Sequence, residues 1–148
     1  MGATLNLPAT LGEELGWRGY LTRSLAGLGW LRASLIVGVI WGIWHAPLIL
    51  MGHNYPQHPQ AGVGMMVLFC AAVAPVIGWV RERAGTAWAA AVFHGTLNGT
   101  AGVAIVYVRG GDDLHVGVPG LAGILGYAAL SAAVALWSGR QGRAGDAA

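Results

Sequence analysis

At 148 residues the chain is one domain's worth of sequence, with 55% hydrophobic residues, only 9% charged residues and a mean hydropathy of +0.59. Soluble domains carry about 25% charged residues, so a fold of this size has too few charges to cover itself in water, and an integral membrane protein is expected. The formal net charge of +2 is too small and dispersed for a nucleic-acid surface, and the single cysteine excludes an internal disulfide.

The first predicted element is a helix over about Pro8–Gly27, less apolar than the rest, with Pro8 suited to a first helical turn. It carries Glu13, Glu14 and Arg18. Four later stretches can each cross about 30 Å of hydrocarbon at about 1.5 Å per residue: Ala33–Met51, Val63–Val80, Ala87–Val108 and Val118–Ser138. Loops are expected at Leu28–Arg32, Gly52–Gly62, Arg81–Thr86 and Arg109–Gly117, with a polar tail over 139–148. Pro47 and Pro75 lie inside spans and permit kinks. Cys70 sits in an apolar run and reads as core filler. The expected fold class is all-α: a polytopic transmembrane helix bundle of about four spanning helices plus the N-terminal motif-bearing helix, in a single domain over 1–148. Met1 is followed by no basic segment of a secretory signal, and the chain begins inside an apolar stretch. Further helices upstream of Met1 are therefore expected.

All eight basic residues are arginine. Arg23 and Arg32 flank one connection, Arg81 and Arg83 another, and Arg140 and Arg143 lie in the tail. The alternate loops hold only Arg109, beside Asp112 and Asp113, and the uncharged run His53 to Gln60. By the positive-inside rule the Arg-rich loops and the C-terminus face the cytoplasm, giving a multi-pass protein of the cell membrane. Trp30, Trp79, Trp88 and Trp137 fall near the same boundary, as interfacial aromatics do. Counted along the helices, Glu13 lies about 15 Å from Arg23, His45 about 20 Å from Arg32 and His94 about 16 Å from Arg83. Polar groups on three helices thus reach a similar depth, and one buried, water-filled site open to the cytoplasmic side is expected. Gly12-x-x-x-Gly16, Gly38-x-x-x-Gly42 and Gly95-x-x-x-Gly99 flank these groups and allow close helix packing.

An ionisable side chain at mid-membrane costs about 2.5–3.5 kcal/mol or more, so one that persists there usually has work to do. Glu14 and Arg18, at i and i+4, share a helical face and can pair, while Glu13 points about 100° away. Alone, such a pair reads equally well as a snorkelling interfacial ion pair. Trp41, four residues before His45, can wall the imidazole; His94 and Asn98 share another face. Each His alone reads as a helix–helix hydrogen bond, but together with the glutamates the set suits a hydrolytic site. A desolvated Glu can act as general base on a water, with a His sharing that water. A second His and an Asn can donate to an oxyanion. Alternatively Glu13, His45 and His94 can bind Zn²⁺ as a His₂Glu set, although the contiguous His-Glu-x-x-His motif is absent. Either route is amide hydrolysis within the membrane.

The ordered trio Glu13-Glu14-x-x-x-Arg18, aromatic-x-x-x-His45 and His94-x-x-x-Asn98 resembles the CPBP (Abi) intramembrane proteases, which include the Rce1-type CAAX prenyl endopeptidases. The resemblance covers about Leu11 to Gly99. It implies that Glu13 and His45 activate the attacking water, that His94 and Asn98 stabilise the oxyanion, and that Glu14 and Arg18 brace the site. The family has been described both as metalloproteases and as metal-independent glutamate proteases, so Zn²⁺ and a metal-free mechanism both stay open. Two departures stand out. Trp41 replaces the usual Phe of the second motif, and family members carry helices ahead of the first motif.

The expected activity is that of an intramembrane endopeptidase acting on a membrane-anchored peptide or protein, with the lipid bilayer as its surroundings. Two rivals are a non-catalytic scaffold or immunity protein of the same family, and an ion- or proton-handling transporter fragment. No inverted repeat supports transport. His53, His58 and His115 read as extracytoplasmic surface histidines, of which His53 and His58 can hold a metal adventitiously. Asp112-Asp113 reads as a solvated turn.

Overall fold

The computed structural model describes residues 4–103, 107–108 and 110–145, and every regular element among them is helical. Helix α1 (Leu7–Glu14) has Pro8 in its first turn, as expected. It continues into a π-helical stretch, Leu15–Leu21, and then the short α2 (Thr22–Ser24). The π stretch departs from the plain helix that periodicity predicts. Gly16 and Gly19 hold the α-ladder weakly there, and the Thr22 hydroxyl donates to the Trp17 carbonyl five residues back at 2.8 Å. A 3₁₀ turn (Ala26–Leu28) and Gly29, at a φ of 78° that favours glycine, end the rod.

The expected span Ala33–Met51 is two helices, α3 (Trp30–Trp44) and α4 (Ala46–Leu50), broken at His45. Pro47 has no N–H for the Ile43 carbonyl, so the α-ladder cannot run straight through. Helix α5 (Pro59–Ala84) keeps the buried Pro75 inside it and stops at Gly85, whose φ is 70°, just after Arg81 and Arg83. Helix α6 (Ala87–Thr100) is capped by Thr86, whose hydroxyl accepts from the Trp88 N–H at 3.3 Å. It stops short of the expected Val108; part of that expected span, and Arg109, lie outside the described residues. Helix α7 (Leu121–Gly145) runs on past Ser138 into residues expected to form a polar tail. No proline interrupts 139–145, and Arg and Gln there are good helix formers.

Among the described residues, two helices rather than four are long and apolar enough to cross a membrane by themselves: α5, with mean hydropathy 2.2, and the Leu121–Arg140 part of α7, with 1.7. At 15 residues, α3 is about 22 Å long and needs α4 beyond its break to reach further. The bundle is built around α5, which packs against α3, α7 and α6, while α1 packs on α6. The closest approach is at Gly38 and Gly42. A Cβ on Gly38 would lie 2.7 Å from the Ala71 Cα, and one on Gly42 would lie 2.5 Å from the Val67 Cα. The glycine pattern on α3 is therefore a helix contact, whereas Gly12 and Gly16 have nothing within 4 Å. Cys70 is core filler as expected, buried with its thiol 3.7 Å from the Met66 sulfur. Leu35, Ile36, Val39, Ile40 and Ile43 point outward from α3, and only 11% of the α7 window is buried. Such bare apolar faces are unfavourable in water and suit hydrocarbon. The all-α membrane bundle expected from composition is the fold observed.

Candidate active site

Glu14 ends α1 with its side chain fully buried. Its Oε1 accepts from the Arg18 Nη1 at 2.8 Å and lies 3.0 Å from the His94 Nδ1. The expected i, i+4 pair is thus present, with Arg18 buried as deeply as its partner. Removing two charges from water costs several kcal/mol per ion, which a 2.8 Å contact and further hydrogen bonds must offset. The second Glu14 oxygen and the Arg18 Nη2 are buried without a hydrogen-bond partner among the described residues.

One residue earlier in the helix, Glu13 points elsewhere, as 100° per residue requires. It is half-buried, and its Oε2 accepts from the Trp41 indole N–H at 3.1 Å. Trp41 is buried on α3 and organises its surroundings. Its ring meets His94 edge-on at 4.9 Å and His45 at 5.6 Å between centroids, and the Arg18 guanidinium lies 4.9 Å over it. The Trp41 carbonyl is 2.8 Å from the His45 Nδ1. The sequence marked Trp41 as a wall for His45. Its role as donor to Glu13 had no signal in the sequence, since no acid lies near Trp41 along the chain.

Both imidazoles are held through Nδ1, His45 by a carbonyl and His94 by a carboxylate. The His45 Nδ1 therefore carries the proton that the Trp41 carbonyl accepts, which leaves its Nε2 turned to other partners, and the His94 Nδ1 is engaged by the Glu14 carboxylate. Second-partner bonds of this kind fix the tautomer in catalytic and metal sites alike. Asn98, one turn beyond His94, is exposed and makes no hydrogen bond among the described residues.

Trp41, His45, His94 and Asn98 line one cavity of about 770 Å³, a volume typical of ligand-binding clefts. Asn6, whose amide donates to the Gly95 carbonyl at 3.5 Å, lines it as well; no sequence motif marked it. The cavity's other wall comes from the loops after α4 and before α7, with Asn54, Gln57, Asp112 and Asp113. This corrects the expected access. The mouth lies among the alternate loops, at the end away from Arg23 and Arg81, which instead line a separate depression. Depth counting fixes distance along a helix but not which end the loops leave open.

The expected zinc set does not assemble. Among the described residues the group of three whose ligand atoms lie within 4.8 Å of one another is His58, Asp112 and Asp113; Glu13, His45 and His94 form no such group. The arrangement therefore does not fit one ion held by those three residues.

Residues 1–100 match the family described as type II CAAX prenyl endopeptidase Rce1-like. The chain belongs to the Rce1-like family. A stretch of 52 residues is 46% identical to "CAAX prenyl protease 2" of Methanococcus maripaludis, covering 34% of this chain and 19% of that relative. No solved structure matches. Family membership and the apolar helices together make the Rce1-like chain a membrane protein. All the motif residues quoted for the resemblance fall within the matched segment.

Proposed function

We propose that this Rce1-like chain is an intramembrane endopeptidase of the CAAX type, hydrolysing a peptide bond of a membrane-anchored substrate with a water activated by Glu13 and His45. The observation carrying the reading is the division of labour between adjacent acids. Glu14 is buried and engaged by Arg18 and His94, while Glu13 stands half-buried with one oxygen held by Trp41 and the other free. A paired, buried acid braces; a tethered acid beside a cavity can take a proton.

In this mechanism water lies between the free Glu13 oxygen and the His45 Nε2. Glu13 removes one proton as the water oxygen bonds to the scissile carbonyl carbon. The carbonyl oxygen becomes an oxyanion stabilised by the Asn98 amide and by His94, whose Nδ1 is held by Glu14. Collapse breaks the C–N bond, and the leaving amine takes the proton from Glu13. Preorganised donors of this kind contribute about 2.7–4 kcal/mol each in well-studied hydrolases. The Arg-rich loops and C-terminus are assigned to the cytoplasm, with the helices making multiple passes. The cavity mouth then faces the opposite side.

The test is cleavage of a fluorogenic membrane-anchored CAAX peptide by protein in liposomes. Glu13→Gln, His45→Ala and His94→Ala should each slow turnover by about 100-fold or more. Wild-type turnover in Glu13→Gln would remove the basis of the proposal.

A further inference from the structure

The cavity's mouth carries a second constellation outside the Glu13–His45–His94 centre. His58 precedes α5, and its Nδ1 lies 2.8 Å from the Asp113 Oδ1 and 3.7 Å from the Asp112 Oδ1. From the same side as the aspartates, the His115 Nδ1 lies 3.4 Å from the Asp112 Oδ1. His58, Asp112 and Asp113 thus bring ligand atoms within 4.8 Å of one another from segments more than 50 residues apart, with His115 outside that group. Within the expected solvated turn the Asp112 side chain is 42% exposed, while that of Asp113 is only 13% exposed.

The spacing fits an ion. Ligands about 2.0–2.2 Å from a tetrahedral metal lie about 3.3–3.6 Å apart, and the two separations from the His58 Nδ1, 2.8 and 3.7 Å, lie on either side of that value. The carboxylates are also aimed by their own partners. The Asp113 Oδ2 accepts from the Gln57 backbone N–H at 2.6 Å, and the Gln57 side-chain oxygen accepts from the Asp113 N–H at 3.3 Å. The Asp112 Oδ1 accepts from the Leu114 N–H at 2.8 Å. Such outer partners hold ligands in place before an ion arrives. Imidazole with carboxylate is the donor set of Zn²⁺ and its neighbours, whereas Ca²⁺ and Mg²⁺ take oxygen alone.

We propose that His58, Asp112 and Asp113 form a binding site for a Zn²⁺-class divalent cation that ties the loop after α4 to the loop before α7 at the cavity's mouth. Gln57, Asp112 and Asp113 line that mouth, and the Tyr55 hydroxyl already bonds across the same gap to the Pro119 carbonyl at 2.6 Å. An ion here fixes the width of the entrance, so its occupancy regulates entry without touching the reacting groups. The inference rests on these loop contacts and stands whether or not the chain cleaves peptides.

The experiment is zinc titration, by calorimetry, of full-length protein purified in detergent and stripped with chelator. The expected result is one Zn²⁺ per chain, weakened about tenfold or more in His58→Gln and in Asp113→Asn and unchanged in Glu13→Gln with His45→Ala. A measurement on the unsubstituted protein guards against loop collapse in the variants. Added Co²⁺ should broaden the Gln57 and Leu114 amide NMR signals before the Trp41 indole N–H. Absence of binding, affinity unaffected by both loop substitutions, or broadening that begins at Trp41 would each overturn the proposal.

Discussion

Replacing Trp41 by Phe separates the two things that the indole does. The apolar ring remains against His45, His94 and Arg18, but the 3.1 Å hydrogen bond to Glu13 is lost. Hydrogen bonds to charged groups contribute about 1.5–3 kcal/mol. Glu13 is half-buried, so water can replace part of the lost bond, and the lower end applies. About 1.5 kcal/mol corresponds to about a tenfold fall in kcat, with KM little changed because the wall of the cavity keeps its shape. The assay is initial rate against substrate concentration in liposomes, with the thermal unfolding midpoint measured in parallel. The indole N–H resonance of Trp41 supplies a readout independent of turnover: it should shift on Glu13→Gln. Unchanged kcat in Trp41→Phe, or an indole signal indifferent to Glu13→Gln, would refute the tether.

Glu14→Ala leaves Arg18 buried without its carboxylate, and loss of one partner of a buried pair costs about 3–5 kcal/mol; chemical denaturation should register that, and a smaller loss when Arg18→Met is added. Gly42→Ala drives a methyl group into the Val67 backbone and should destabilise by about 1–3 kcal/mol, whereas Gly12→Ala, facing open space within a helix, should stabilise by about 0.5–1 kcal/mol in the same measurement. In chelator, the His58 link should respond to pH. Its hydrogen bond to Asp113, with the Asp112 carboxylate also near, raises the imidazole above its ordinary value. A raised folded value means the link is fully present below about pH 6.5 and lost as pH rises through the folded value, so Gln57 amide exchange should quicken with increasing pH beyond the intrinsic trend. Finally, an impermeant maleimide applied to intact cells should label His53→Cys but not Glu82→Cys, with native Cys70 silent because it is buried; the opposite pattern would invert the assigned orientation.

The motif residues were legible because helical geometry alone brings them together. Glu14 and Arg18 pair at their i, i+4 spacing, and Trp41, His45, His94 and Asn98 line one cavity. The break at His45 was half legible, since Pro47 announces a lost hydrogen bond without saying whether the helix bends or stops. Three features were not. The π stretch after Glu14 depends on how Gly16 and Gly19 relax once α1 is packed on α6. The end at which the cavity opens depends on loops whose course no periodicity describes. The pairing of His58 with Asp113 joins residues 55 apart through loop conformation alone, so both read separately as solvated surface.

Adjacent acids on a helix cannot share an environment, and this explains why the first motif needs two. A residue step of about 100° sends one side chain into the α1–α6 contact and leaves its neighbour turned toward α3. Glu14, inside, meets a guanidinium and an imidazole and becomes a fixed anchor whose orientation His94 inherits. Glu13, at the edge, meets one indole N–H and keeps an oxygen for a substrate or a water. Exchanging the roles is not possible by small adjustment, since a buried Glu13 would have no cation at i+4: position 17 is Trp. In the proposed mechanism, two carboxylates with different surroundings give one site both a rigid support and a proton acceptor. Here one turn of helix supplies both.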